Sequence, residues 1–202
     1  MPMFVTWPSV ARYPLIDKQK QVYHYKKMSA QELARNVVYD PKVKGYIMFD
    51  ATACIPELPS ITIDGVEVFP KEEYHVSLVA ARKAAQQNPE QEAAIVRLVS
   101  EYLRRPGNAL EWDGLTGEYY LCHKLNEQGE MQFTVVAGAA IIGLEGLQRM
   151  LRHHFSIPPS QPHVTLLKSA NSPYGIGVNS ADDLANYCEV RPDIAQQLQF
   201  LH

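Results

Sequence analysis

The segment "YHVSLVAA" (residues 74–81) returns in altered form far downstream as "PHVTLLKS" (162–169). Each copy holds a histidine, a valine, a small hydroxyl residue and a leucine in a stretch that suits a strand. Along a strand, side chains alternate between the two faces. His75 and Ser77 therefore share one face, with Val76 and Leu78 on the other. His163 and Thr165 stand in the same way over Val164 and Leu166. Each copy is a strand with an apolar back and a front bearing one imidazole and one hydroxyl. If the two strands lie side by side or face each other, all four groups converge on one cleft.

The rest of the chain alternates strand and helix signals. "SAQEL" is a capping box with Ser29 at the N-cap and Glu32 at N3, so a short helix is expected before Asp40-Pro41. "GYIMFDATA" (45–53) reads as a buried strand, and "ITIDGVEVF" (61–69) as a hairpin turning on Asp64-Gly65. Asn88 and Pro89 open the clearest helix, whose apolar stripe is Ile95, Leu98, Val99, Tyr102 and Leu103. Two strands follow, "ALEWDGLTGEYYLCHKL" (109–125) and "MQFTVVAGAAI" (131–141), joined by the turn "NEQGE". A second helix, "GLEGLQRMLRHHF" (143–155), leads through "SIPPSQP" into the second histidine strand. A further capping box at Ser180 and Asp183 precedes a terminal helix, "DIAQQLQFL" (193–201). No linker divides these segments. The reading is an aromatic and proline-rich N-terminal arm with a short helix (1–44) on a single α+β domain (45–202).

Two imidazoles with two hydroxyls suit one chemistry in particular. In-line cleavage of a phosphodiester needs a base on the nucleophile and an acid on the leaving oxygen, on opposite sides of phosphorus. Histidine serves either role near neutral pH. The hydroxyls can donate to the non-bridging oxygens. This scheme requires no metal or cofactor.

The motifs "HVSL" (75–78) and "HVTL" (163–166) resemble the paired H-x-[ST]-hydrophobic motifs of the two-histidine (2H) phosphoesterase superfamily, the LigT-like proteins. The run "HHFSIPPSQPHVTLLKS" is similar to the family's second-motif neighbourhood. The resemblance spans about residues 45–170 and implies two pseudo-symmetric α+β lobes, each an antiparallel sheet with helices outside, around a central cleft. It implies activity on 2′,3′-cyclic phosphates, 2′–5′ linkages or related phosphodiesters. His75 and His163 would be the acid/base pair, and Ser77 and Thr165 would hold the phosphoryl oxygens. Lys168 matches a basic residue of the family that can approach the phosphate, provided a bulge brings it round to the face of Thr165, with a solvated lysine as the simpler assignment. Ser77 stands where threonine is common, and the N-terminal arm has no family counterpart.

Other residues have plainer readings. Tyr74, Tyr119–Tyr120 and Trp112 are candidates for stacking on a base, with core packing as the simpler assignment. His123, His153 and His154 read as structural or helix-end histidines, and His24 lies in the arm. No HExxH, CxxC, GxSxG or GxxxxGK[ST] pattern occurs, so zinc-hydrolase, serine-hydrolase and nucleoside-triphosphatase readings find no support. The glycines of "YGIGVN" lack the strand-to-helix context of a phosphate loop.

A net charge of −3 and the lack of a long basic run argue against a grip on long nucleic acid. The expected ligand is a small nucleotide or an RNA end, and the expected state a monomer. Three widely spaced cysteines read as reduced thiols of a cytoplasmic protein, with one disulfide plus a free thiol as the lesser alternative, although specialised export would leave no readable mark. No membrane partner is expected, since no apolar run reaches membrane-spanning length. Two other readings compete: a nucleotide or RNA-end binding module using the same cleft, and a metal-dependent hydrolase with His75 and His163 as ligands.

Overall fold

Ile47 and Phe49 are buried between less buried neighbours, and the same period of two recurs at Val76–Leu78 and Val164–Leu166. Such stripes are covered together when their strands pair side by side with the apolar faces aligned. The computed structural model describes residues 37–41, 45–86, 88–173, 175–178 and 181–199. It shows a mixed α+β fold on one open antiparallel sheet of nine strands. The strands are β1 (Val37–Asp40), β2 (Tyr46–Asp50), β3 (Ile61–Ile63), β4 (Val66–Pro70) and β5 (His75–Ala80), then β6 (Glu111–Leu125), β7 (Met131–Ile142), β8 (His163–Ser169) and β9 (Cys188–Val190). Their main order is β1-β2-β5-β8-β7-β6-β9. The β3–β4 hairpin joins through β4, which pairs with β8.

The helices are α1 (Ala81–Ala84), α2 (Pro89–Arg104), α3 (Leu144–Phe155), α4 (Ala181–Tyr187) and α5 (Pro192–Gln199). Asn88 caps α2 as expected: its side-chain oxygen accepts from the backbone N–H of Glu90 at 3.0 Å and of Gln91 at 3.4 Å. Ile95 and Val99 of α2, Leu144, Leu147 and Leu151 of α3, and Ile194 and Leu198 of α5 join the buried cluster behind the sheet. Phe49 and Trp112 stack within it, ring centroids 6.0 Å apart.

The outcome differs from the sequence reading at both ends. Residues 37–40, expected to finish the arm's helix, form β1, paired with β2. Two adjacent valines and a tyrosine favour a sheet edge over a helix end. The remainder of that helix and the Ser180 cap lie outside the described residues. Near the C-terminus, Cys188–Val190 forms an unanticipated strand beside β6.

The pairing is symmetric about the β5–β8 seam, with β2 and then β1 beyond β5, and β7 and then β6 beyond β8. Both inner strands carry a bulge at the fourth residue of their motif. Ser77 pairs with Met48 and Val79 with Ile47, so Leu78 is the extra residue in β5. Thr165 pairs with Val136 and Leu167 with Val135, so Leu166 is the extra residue in β8.

Candidate active site

β5 and β8 meet in register at Val76–Val164. In an antiparallel pair, that register sets His75 across from Thr165 and Ser77 across from His163. All four side chains are half-buried on the front, over the buried Val76, Leu78, Val164 and Leu166. Facing Cβ atoms lie about 5 Å apart and diagonal ones about 7–8 Å. The imidazoles therefore hold one diagonal of a small square and the hydroxyls the other. The structure brings these four predicted residues together.

The bulge decides the place of Lys168. Regular alternation would send it behind the sheet, but the extra residue at Leu166 resets the phase and returns Lys168 to the face of Thr165. There its ammonium donates to the Pro173 carbonyl at 3.0 Å.

Two charged neighbours escaped the sequence reading. Asp50 pairs with His75 across β2 and β5. Lys71 follows β4, and its backbone N–H donates to the Leu166 carbonyl at 3.2 Å. Neither belongs to a motif, and only strand pairing brings them to the histidines. Burial, then the positive charge of Lys71, then His163, push the His75 pKa down to about 4, against a smaller upward pull from Asp50 and Asp40. Burial also lowers the pKa of His163, opposed by a 2.8 Å hydrogen bond between Nδ1 and the Gln161 carbonyl. With Nδ1–H as donor, Nε2 is left for proton transfer.

The segment after β8 walls the site on one side. Ser172, Ile176 and Val178 are buried, the latter two against Cys122 and Val136 on the front of β6 and β7. The Ile176 N–H donates to Thr134 Oγ1 at 3.0 Å. Gly175 adopts φ +78°, and a Cβ there would sit 3.2 Å from the Thr165 methyl. The glycine thus serves a close crossing over Thr165 and not a phosphate loop. Asp183 of α4 reaches the front of β2, where burial and its negative charge raise the Tyr46 pKa.

Several expected residues lie elsewhere. Tyr74 is 6% exposed and Trp112 1%, both in the core behind the sheet. Tyr119 packs against the same core. None of the three is placed to stack on a ligand at the histidines, because strand alternation turns them to the apolar side. Tyr120 takes the front but sits on β6, two strands from β8, packed against the Cys122 cluster. His153 and His154 end α3, and His123 is exposed on β6. A hollow of about 190 Å³ between β1, β2 and α2 is lined by Val37, Tyr39, Ile47 and Val99 among others, on the side away from the histidines.

The thiol reading is corrected. Cys122 and Cys188 are a register pair of β6 and β9 and form a disulfide, while Cys54 is buried outside that bond. Their separation along the chain gave no sign that the two strands would be neighbours.

Among the described residues, no helix is long and apolar enough to cross a membrane, and no group of three or more His, Cys, Asp or Glu side chains is arranged to hold a metal ion. No family model, curated protein or solved structure matches the chain.

Proposed function

We propose that this protein is a metal-independent phosphodiesterase of the two-histidine type. It would act on a small nucleotide-type phosphodiester: a 2′,3′-cyclic phosphate, a 2′–5′ linkage or a cyclic nucleotide. The observation that carries the reading is the Val76–Val164 register, which sets two imidazoles on one diagonal and two hydroxyls on the other. A phosphoryl group over the centre of that square meets a proton acceptor and a proton donor on opposite sides. The hydroxyls and Lys168 face its non-bridging oxygens. On this reading the two symmetric halves of the sheet correspond to the two lobes of the LigT-like proteins.

On this reading the environments favour one division of roles in the hydrolytic direction. His75, with its pKa pushed down to about 4, is neutral at pH 7 and takes the proton from water. Burial lowers the His163 pKa and the Nδ1 contact to the Gln161 carbonyl offsets part of that; held by this contact, the ring would be the group that protonates the leaving oxygen. The disulfide favours an oxidising compartment over the cytoplasm inferred from the cysteine count.

The test is turnover of a panel of 2′,3′-cyclic nucleotides, 2′–5′ oligomers and cyclic dinucleotides in excess chelator. At least one is expected to be cleaved without metal. Binding without turnover would favour the binding module, and activity abolished by chelator would favour a metal-dependent hydrolase.

The pH profile gives a second check. Protonation of His75 removes the base, so the acid limb of kcat/KM should fall near pH 4, below the ordinary histidine range. Asp50 raises this pKa, so Asp50→Asn should move the acid limb to lower pH. A limb that stays near 6.5, the ordinary histidine value, in both proteins would refute the assignment.

A further inference from the structure

We propose that Phe69 on β4 and Lys71 just beyond its end form the nucleoside-phosphate subsite of this centre: Lys71 with Lys168 seats a phosphoryl oxygen, and Phe69 carries the base. The proposal rests on the two-histidine reading and adds where the nucleoside lies.

β4 and β5 occupy the same edge of β8. Val68, Phe69 and Pro70 pair with Ser169, Lys168 and Leu167, Lys71 bonds to Leu166, and Val76 pairs with Val164. The edge therefore presents Ser77, His75, Lys71 and Phe69 in that order. Val68 is fully buried behind the sheet, so Phe69 and Lys71 alternate to the front. The Leu166 bulge places Lys168 on that front, directly across from Phe69. Phe69 lies two register steps beyond the His75–Thr165 pair, roughly 7 Å along the strand. That suits the reach from a ribose phosphate to its base.

The chemistry agrees with the placement. Phe69 is 38% exposed, a large aromatic face left in solvent beside two lysines. An aromatic surface next to cations is how proteins hold a nucleotide without reading its sequence. Burial and the charge of Lys168 lower the Lys71 pKa, with Glu73 as the opposing carboxylate. Lys71 in turn lowers that of His75, which also feels His163, Asp50 and Asp40. The two ammonium groups repel one another and disfavour protonation of His75 beside them, and an anion seated between them offsets that repulsion.

The experiment measures binding of inorganic phosphate and of adenosine 2′-monophosphate by calorimetry, with the imidazole pKa values followed by NMR. Lys71→Met should weaken both ligands about tenfold and raise the His75 pKa, with Lys71→Arg restoring most of the affinity. Phe69→Ala should weaken the nucleotide about tenfold and leave phosphate unchanged, with Phe69→Leu intermediate. Phe69 is exposed, so unfolding midpoints should stay near wild type. Wild-type affinity for the nucleotide in Phe69→Ala, or a selective loss in Met48→Ala instead, would overturn the subsite, the latter by moving the base across β2. If the unaltered protein binds neither ligand, the two-histidine reading itself fails, a distinct result.

Discussion

Replacing either His75 or His163 with alanine should lower phosphodiester turnover by roughly 10²–10⁴-fold, and the double variant should be little worse than the more damaging single one. The two rings serve one displacement, so losing the acceptor or the donor stops the same step and the losses do not add. The fold should survive. Both imidazoles stand half-buried on the front, while Val76, Leu78, Val164 and Leu166 bury the strands from behind. Ser77→Ala and Thr165→Ala should cost less, since each removes one donor to the phosphoryl oxygens and leaves proton transfer intact. Initial rates on the panel substrate, with unfolding midpoints of the same preparations, check the set. Double-variant turnover comparable to wild type would end the two-histidine proposal.

Breaking the Cys122–Cys188 disulfide should have the largest effect on stability. It closes a chain segment with a sequence separation of 66. In the chain-entropy account, removing such a crosslink costs about 4 kcal/mol through the freedom returned to the unfolded chain. The bond also ties β9, next to α4, to β6, where Leu184 packs over the cluster of Cys122, Val136, Ile176 and Val178. Cys122→Ser/Cys188→Ser, or wild type under reductant, should therefore unfold at lower denaturant concentration. The wall over Thr165 should loosen as well, seen as faster amide exchange in Ile176 and Val178. An oxidised wild type and a double variant with the same midpoint would show that the bond contributes nothing.

Much of the fold was legible because burial periodicity is a local signal. The stripe of α2, its Asn88 cap, the Asp64-Gly65 hairpin and the apolar backs of both motif strands all follow from residues a few positions apart. The tyrosines show the limit. Tyr74 and Tyr119 could face either way on chemistry alone, and only the phase of their strands turned them inward. Lys168 shows the converse: one extra residue at Leu166, invisible in the composition of the strand, reversed its face. Val37–Asp40 went astray because a local capping signal upstream was followed by residues that found a sheet edge.

The amino-acid sequence alone determined which groups are available: two imidazoles, each with an alcohol two residues along and an apolar residue between them. It determined this because side-chain alternation depends only on the strand period. The tertiary structure decided which groups meet. The Val76–Val164 register, the paired bulges, the approach of Lys71 and Asp50, and the pairing of Cys122 with Cys188 are contacts between segments far apart in the chain. Strand order and register come from packing the whole apolar face at once, and no local stretch contains that information.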